Sequence, residues 1–149
     1  MSNIGKWNAP SGPTSLLTTE LNSLASGSAT AASSAIANQT NLDMYADLWL
    51  HLASFSPGTN PYVVVYILEA IDGSTYPSAT ASVLRNQASQ VLCTIPLDTT
   101  AATAQDVVVR NVLIPPGSFK VVLDNQSGAA LASSGNTLKM NTYDLNLNG

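Results

Sequence analysis

The chain has 149 residues, enough for one domain with a substantial core. Only 9% are charged, against roughly 25% in an ordinary soluble domain, and nine acids outnumber five Lys and Arg. The cations are scattered singly, so no basic patch neutralises a phosphate backbone and nucleic-acid binding is not expected. No apolar run approaches the roughly 20 residues of a membrane span, and the first residues lack the apolar core of a signal peptide. The single Cys93 leaves no intrachain disulfide, which fits a reducing cytoplasm. A surface so poor in charge suits a protein packed against other protein.

In chain order, residues 1–13 read as an extended N-terminal arm. They hold Gly5, Pro10, Gly12 and Pro13 and show no periodicity; the notable side chains are Ile4, Lys6 and Trp7. Residues 14–149 read as a single β-sandwich domain. Leu16, Leu17, Leu21 and Leu24 sit at helical spacing, so one helical turn or irregular structure is expected over 14–24. Residues 28–38 are mostly small and read as a strand that another layer can approach closely, with a linker as the alternative. Asn38-Gln39-Thr40-Asn41 is a turn.

Residues 42–53 then alternate without interruption. Leu42, Met44, Ala46, Leu48, Leu50 and Leu52 form one face; Asp43, Tyr45, Asp47, Trp49 and His51 form the other. Period two is the signature of a strand with one dry face. Burying its five large apolar side chains is worth about 2 kcal/mol each. Residues 54–60 are turn material, and 61–71 are apolar on both faces, as in a central sandwich strand. These two runs are expected to pair antiparallel, with Tyr62 and Tyr66 beside Tyr45 and Trp49.

Residues 72–82 form a loop. Strands are expected over 90–97 (Val91, Cys93, Ile95, Leu97), 106–114, 118–125 (Phe119, Val121 and Leu123 inward) and 136–147 (Leu138 and Met140 facing one way, Lys139 and Tyr143 the other). Pro115-Pro116-Gly117 is read as the tight turn of a hairpin between 106–114 and 118–125. Seven or eight strands with almost no helix make an all-β antiparallel sandwich. Long loops at 72–82 and 98–105 suit sheet crossovers, and a jelly-roll-like fold is expected.

Chemistry is sparse. His51 has Asp47 and Asp43 on its own face, and Cys93 reads as a small core residue. A hydrolase would have to be built on one of these two. One His and one Cys cannot supply a zinc set, and Asp72-Gly73-Ser74 is better read as a turn than as a calcium loop. No catalytic residue, metal or cofactor is expected. Asn38-Gln39-Thr40 and Asn125-Gln126-Ser127 match the glycosylation acceptor by chance. What remains is surface: Tyr45 and Trp49 on the long strand, and Trp7 in the arm.

Several pieces, taken in order, resemble a family. They are Leu24-Ala25-Ser26-Gly27; Ile36-Ala37-Asn38; Thr40-Asn41-Leu42 with Tyr45-Ala46-Asp47; Tyr62-Val63 and Val65-Tyr66; Asp72-Gly73 with Tyr76-Pro77; Pro115-Pro116-Gly117 with Phe119-Lys120; and Gly135-Asn136-Thr137-Leu138-Lys139. Across roughly residues 15–143 the chain is similar to the small head-decoration (cement) proteins of tailed bacteriophages. The resemblance implies a β-sandwich on the outside of a capsid, bridging major capsid protein subunits, with no catalytic residues.

The expected function is therefore that of a virion structural protein. It would be made in the host bacterial cytoplasm and would sit on the capsid surface as a homo-oligomer across the lattice. Ile4, Lys6, Trp7, Tyr45 and Trp49 are the expected capsid contacts. The alternative is a tail or baseplate module that recognises host-surface glycan through Tyr45, Trp49 or Tyr66.

Overall fold

A computed structural model describes residues 6–146. Its strands are β1 (Lys6–Trp7), β2 (Ser11–Leu17), β3 (Ser28–Ala29), β4 (Ile36–Ala37), β5 (Tyr45–Phe55), β6 (Tyr62–Ala70), β7 (Val91–Pro96), β8 (Thr103–Leu113), β9 (Ser118–Gln126), β10 (Thr137–Tyr143) and β11 (Leu145–Asn146). A four-residue helix, α1 (Ala81–Leu84), and two 3-10 turns complete the secondary structure.

Two antiparallel sheets face each other. The first runs β2-β10-β5-β8; the second runs β3-β9-β6-β7, with β4 also on β9. The pairings nest: β2 with β10, β3 and β4 with β9, β5 with β8, β6 with β7. A chain folded into one long hairpin and then wrapped gives this nesting, which is the jelly-roll arrangement. The all-β sandwich expected from the alternation is what the structure shows.

The inward faces are those the alternation assigns. Leu48, Leu50, Leu52, Phe119, Val121, Leu123 and Leu138 are fully buried, and Met140 nearly so. The long strand starts later than expected, however. Leu42 takes a positive φ of 55° and Met44 precedes the strand, so both are about half exposed and only three of its five large apolar residues reach the core.

Two expected pairings are wrong. β5 and β6 do not form a hairpin: residues 56–61 carry the chain from the first sheet to the second. Nor do β8 and β9 pair, because Pro115-Pro116-Gly117 is also a crossover. The loop at 98–105 does cross between sheets, but 72–82 lies within the excursion joining β6 to its neighbour β7. Alternation reports which face a residue takes, not which strand lies beside it.

The small-residue segment 28–38 is a broken edge rather than a strand. Between its two short bridges, the Thr30 and Ser33 hydroxyls accept the N–H groups of Leu123 and Val121. Side-chain oxygens thus replace missing ladder bonds, which small hydroxyl residues do well. Residues 14–24 divide into the end of β2 and a 3-10 turn over Thr19–Leu21.

The supposed boundary at residue 13 falls inside β2, so residues 11–13 belong to the sandwich rather than to an arm. Lys6–Trp7 pairs with Leu145–Asn146, bringing the two ends of the described chain together. Ile4 lies outside the described residues. At Gly12 a side chain would be intolerable: φ is +122°, and a Cβ would meet Met140 O and Asn141 Oδ1 at 2.8 Å.

Three buried asparagines hold the loops. Asn38 donates to the carbonyls of Asp43 and Pro115 at 2.7 and 2.8 Å and accepts the Asp43 N–H. Asn125 donates to Leu24 O and Ala129 O, and Asn136 ties Ala132 O and Asn22 to the Ala53 N–H. The two glycosylation-like sequons therefore begin at asparagines whose amides are buried and fully used.

Candidate functional site

The outer faces of the two sheets differ. On the second sheet, Val64, Tyr66, Leu68 and Val122 point away from the main core, and the chain covers them itself. Leu84 from α1 sits fully buried among them, and Tyr76, Ala79, Ala29 and Ala32 pack against the cluster. This cover explains why β6 is apolar on both faces. Arg85 fastens it: its Nε and one terminal nitrogen donate to Asp124 at 2.8 and 2.7 Å, and that nitrogen also reaches Gly27 O. Lys120 Nζ lies 4.4 Å above the Tyr76 ring, and the Tyr76 hydroxyl is 2.7 Å from Ser118 Oγ. Tyr66, one of the expected glycan-stacking residues, is buried under this cover, and its hydroxyl is held above the usual tyrosine range, first by that burial. It does not lie beside Trp49, because β6 belongs to the other sheet.

Among the described residues, the outer face of the first sheet has no such cover. It carries Tyr45, Asp47, Trp49 and His51 of β5 between Lys139, Asn141 and Tyr143 of β10 and Asp106, Val108 and Arg110 of β8. Trp49 is held at its edge: its Nε1 donates to Asp106 Oδ1 at 2.9 Å, and Lys139 Nζ lies 5.0 Å from its ring centroid. His51 Nδ1 is 2.9 Å from the same carboxylate oxygen. Hydrogen bonds from His51 first and Trp49 second hold the Asp106 carboxyl below the usual carboxylate range. The partner of His51 is thus Asp106 on the next strand, not Asp47 on its own.

Opposite Asp47, β8 bulges. Ala46 pairs with Val112 and Leu48 with Val109, so Asp47 faces both Arg110 and Asn111, and Asn111 takes φ +58°. Asp47 Oδ1 accepts the Asn111 N–H at 3.0 Å and the Tyr143 hydroxyl at 2.8 Å. Burial first, then this carboxylate, raises the Tyr143 hydroxyl above its ordinary value. Trp7 meets Tyr45 and Tyr143 edge-on at 5.8 and 5.4 Å between centroids, while those two rings stack on each other at 6.0 Å. The expected contact residues Trp7 and Tyr45 are therefore brought together, and Lys6 precedes them on β1. Trp49 stands four residues along the same strand. Pairs of this kind are worth roughly 0.5–1.5 kcal/mol beyond their buried area. Trp7 thus has a partner within its own chain, yet it remains 58% exposed.

A second surface was not legible in the sequence. Tyr45 pairs with Leu113, Met44 O accepts the Ile114 N–H, and Trp7 pairs with Leu145. Asn38 bonds Gly117 and Leu42, and Ala70 pairs with Ser118. These links put Leu42, Met44, Ile71, Leu113, Trp7 and Leu145 at one end of the sandwich, and all are exposed, Ile71 by 94% and Leu113 by 66%. Only their convergence in the fold reveals the patch.

The residues on which a hydrolase would rest do not meet. His51 is on the outer face of the first sheet; Cys93 is on β7 in the second and packs against the core. Burial pushes its thiol up to about 11. Asp72 Oδ1 accepts the N–H groups of Ser74 and Thr75 at 2.9 and 2.7 Å, which holds its carboxyl down at about 2 and makes Asp72-Gly73-Ser74 a turn. Among the described residues no group of three or more His, Cys, Asp or Glu could hold a metal ion, and no helix is long and apolar enough to cross a membrane.

Comparison of the chain with family models, with curated proteins and with solved structures found no significant match.

Proposed function

We propose that the chain is a capsid decoration protein of a tailed-bacteriophage head, bridging major capsid protein subunits in many copies across the shell. The observation that carries this reading is the apolar end, the same end of the sandwich at which Ile71, Leu113, Met44, Leu42 and Trp7 all stand exposed. Exposed apolar side chains gathered at one end of a domain suit a protein interaction site. The motif resemblance, the low charge and the jelly-roll fold agree with it. Burying one Ile or Leu is worth about 1.5–3 kcal/mol, and a lattice multiplies modest contacts by avidity. Trp7 and Lys6 are at the rim of that contact, with Tyr45 behind Trp7.

Removing residues 1–13 would cut into β2, so truncation is a poor test of this contact. The better test is co-sedimentation with empty capsid shells, comparing the native chain with an Ile71→Asp, Leu113→Asp variant. We expect saturable binding that survives high salt in the native chain and at least a hundredfold loss in the variant. No binding of the native chain to shells would overturn the proposal.

A further inference from the structure

The open face of the first sheet carries a second feature, separate from the apolar end. Side-chain rows two residues apart along the strands leave a trough between them, running across β2, β10, β5 and β8. One bank is Lys139, Trp49 and Val108; the other is Asn141, Asp47 and Arg110, and Pro13 closes the β2 end. The trough holds about 310 Å³, at the small end of the roughly 300–1,000 Å³ of ligand pockets. Beyond Asp47 and Arg110 the surface falls again into a hollow of about 440 Å³ toward Trp7 and Tyr143.

The charged groups here differ in how they are held. Asp47 is occupied by Tyr143 and Asn111, and Asp106 by Trp49 and His51. The ion pairs among the described residues are His51–Asp106 and Arg85–Asp124, so neither Arg110, which faces Asp47 across the strands, nor Lys139, which lies over the Trp49 ring, is in one of them. Two cations outside those ion pairs thus line the trough together with one pinned indole. Their complement is an anion attached to a body with an apolar face.

We propose that this trough binds an acidic saccharide, its ring against Trp49 and its carboxylate between Arg110 and Lys139. Sugar C–H surfaces pack on aromatic rings, and guanidinium and ammonium groups hold carboxylates by charge-assisted hydrogen bonds. A peptide fits the trough less well. It would lie across the strands, where their backbone groups are already paired, whereas extended peptides add along a sheet edge. The proposal does not depend on shell binding.

The test is a glycan array of uronate-containing and sialylated glycans, each beside its neutral counterpart, with hexaglutamate as the peptide probe. We expect the acidic glycans to bind at least tenfold more tightly than their neutral partners. Arg110→Gln and Lys139→Gln should each weaken binding about tenfold, and Trp49→Ala should abolish it. Ile71→Asp should leave it unchanged, and the two Gln variants should keep the native melting temperature and sediment with shells as the native chain does. Absence of acidic-glycan binding, equal binding of the neutral partners, or comparable binding of hexaglutamate would each overturn the proposal. The last result would assign the trough to an acidic protein segment instead.

Discussion

The two outer faces of the sandwich are built from the same kind of strand and end up differently. On the second sheet the residues that point outward are largely apolar (Val64, Tyr66, Leu68, Val122), and the β6–β7 excursion folds back to bury them beneath Leu84. On the first sheet they are polar or amphipathic (Asp47, Trp49, His51, Lys139, Arg110), and nothing among the described residues lies over them. One face is finished by the chain itself. The other has side chains held in place by one another, yet is open among the described residues. The difference separates surface spent on stability from surface available for recognition.

Substitutions should divide along that line. The largest contrast lies within β5. Leu50→Asp places an unpaired carboxylate in the core and should prevent folding, whereas Trp49→Asp, one residue away and facing out, should leave a cooperative domain by circular dichroism and thermal melting. A soluble, cooperative Leu50→Asp variant would mean that the strand faces are inverted.

On the covered face, Arg85→Ala leaves the buried Asp124 carboxylate without its cation, held only by Gln126 among side chains, and should cost about 3 kcal/mol in urea denaturation. Leu84→Ala should cost roughly 2–4 kcal/mol through the cavity it leaves. Val108→Ala on the open face should cost less than about 0.5 kcal/mol. Equal losses at Leu84 and Val108 would erase the distinction between the faces.

Cys93, on the second sheet, gives a pH test. Burial disfavours its thiolate, so at pH 8 iodoacetamide should modify it about a hundredfold more slowly than a free thiol. The unfolded chain ionises this thiol at about 9 and the folded chain at about 11. Its contribution to stability is therefore constant below pH 9 and falls between about 9 and 11. The smallest effect belongs to Asp106→Asn. It should change stability by less than about 0.5 kcal/mol, but it should alter the fluorescence of Trp49, read in a Trp7→Phe background, because the carboxylate that holds the indole is gone.

Much of this architecture was legible in the alternation. The inward sets on β5, β9 and β10 are those that period two assigns, and the long strand is central to its sheet. Partner strands were not legible. A six-residue connection from β5 to β6 and the Pro-Pro-Gly turn from β8 to β9 look like hairpin loops, yet both cross the core, because a wrapped hairpin pairs strands distant in sequence. The cover over Tyr66 carries no period, so its burial could not be anticipated. Of the residues expected to make contacts, Trp7 and Tyr45 converge and Trp49 stands apart. Arg110 was not legible as a neighbour of Asp47 because the two lie on strands distant in sequence, and only the β5–β8 register sets them opposite each other. The apolar end is assembled from loops and strand termini, where no local pattern marks it.

The most direct test of these assignments is hydroxyl-radical footprinting of the protein, free and bound to empty capsid shells. In the free protein we expect labelling at Trp7, Met44, Trp49, Ile71 and Leu113, and little at Tyr66 or Leu84. Shell binding should then protect Met44, Ile71, Leu113 and Trp7 while leaving Trp49 and Val108 as reactive as before. Protection of Trp49 and Val108 with the apolar end still labelled would contradict the assignment and place the shell on the open face.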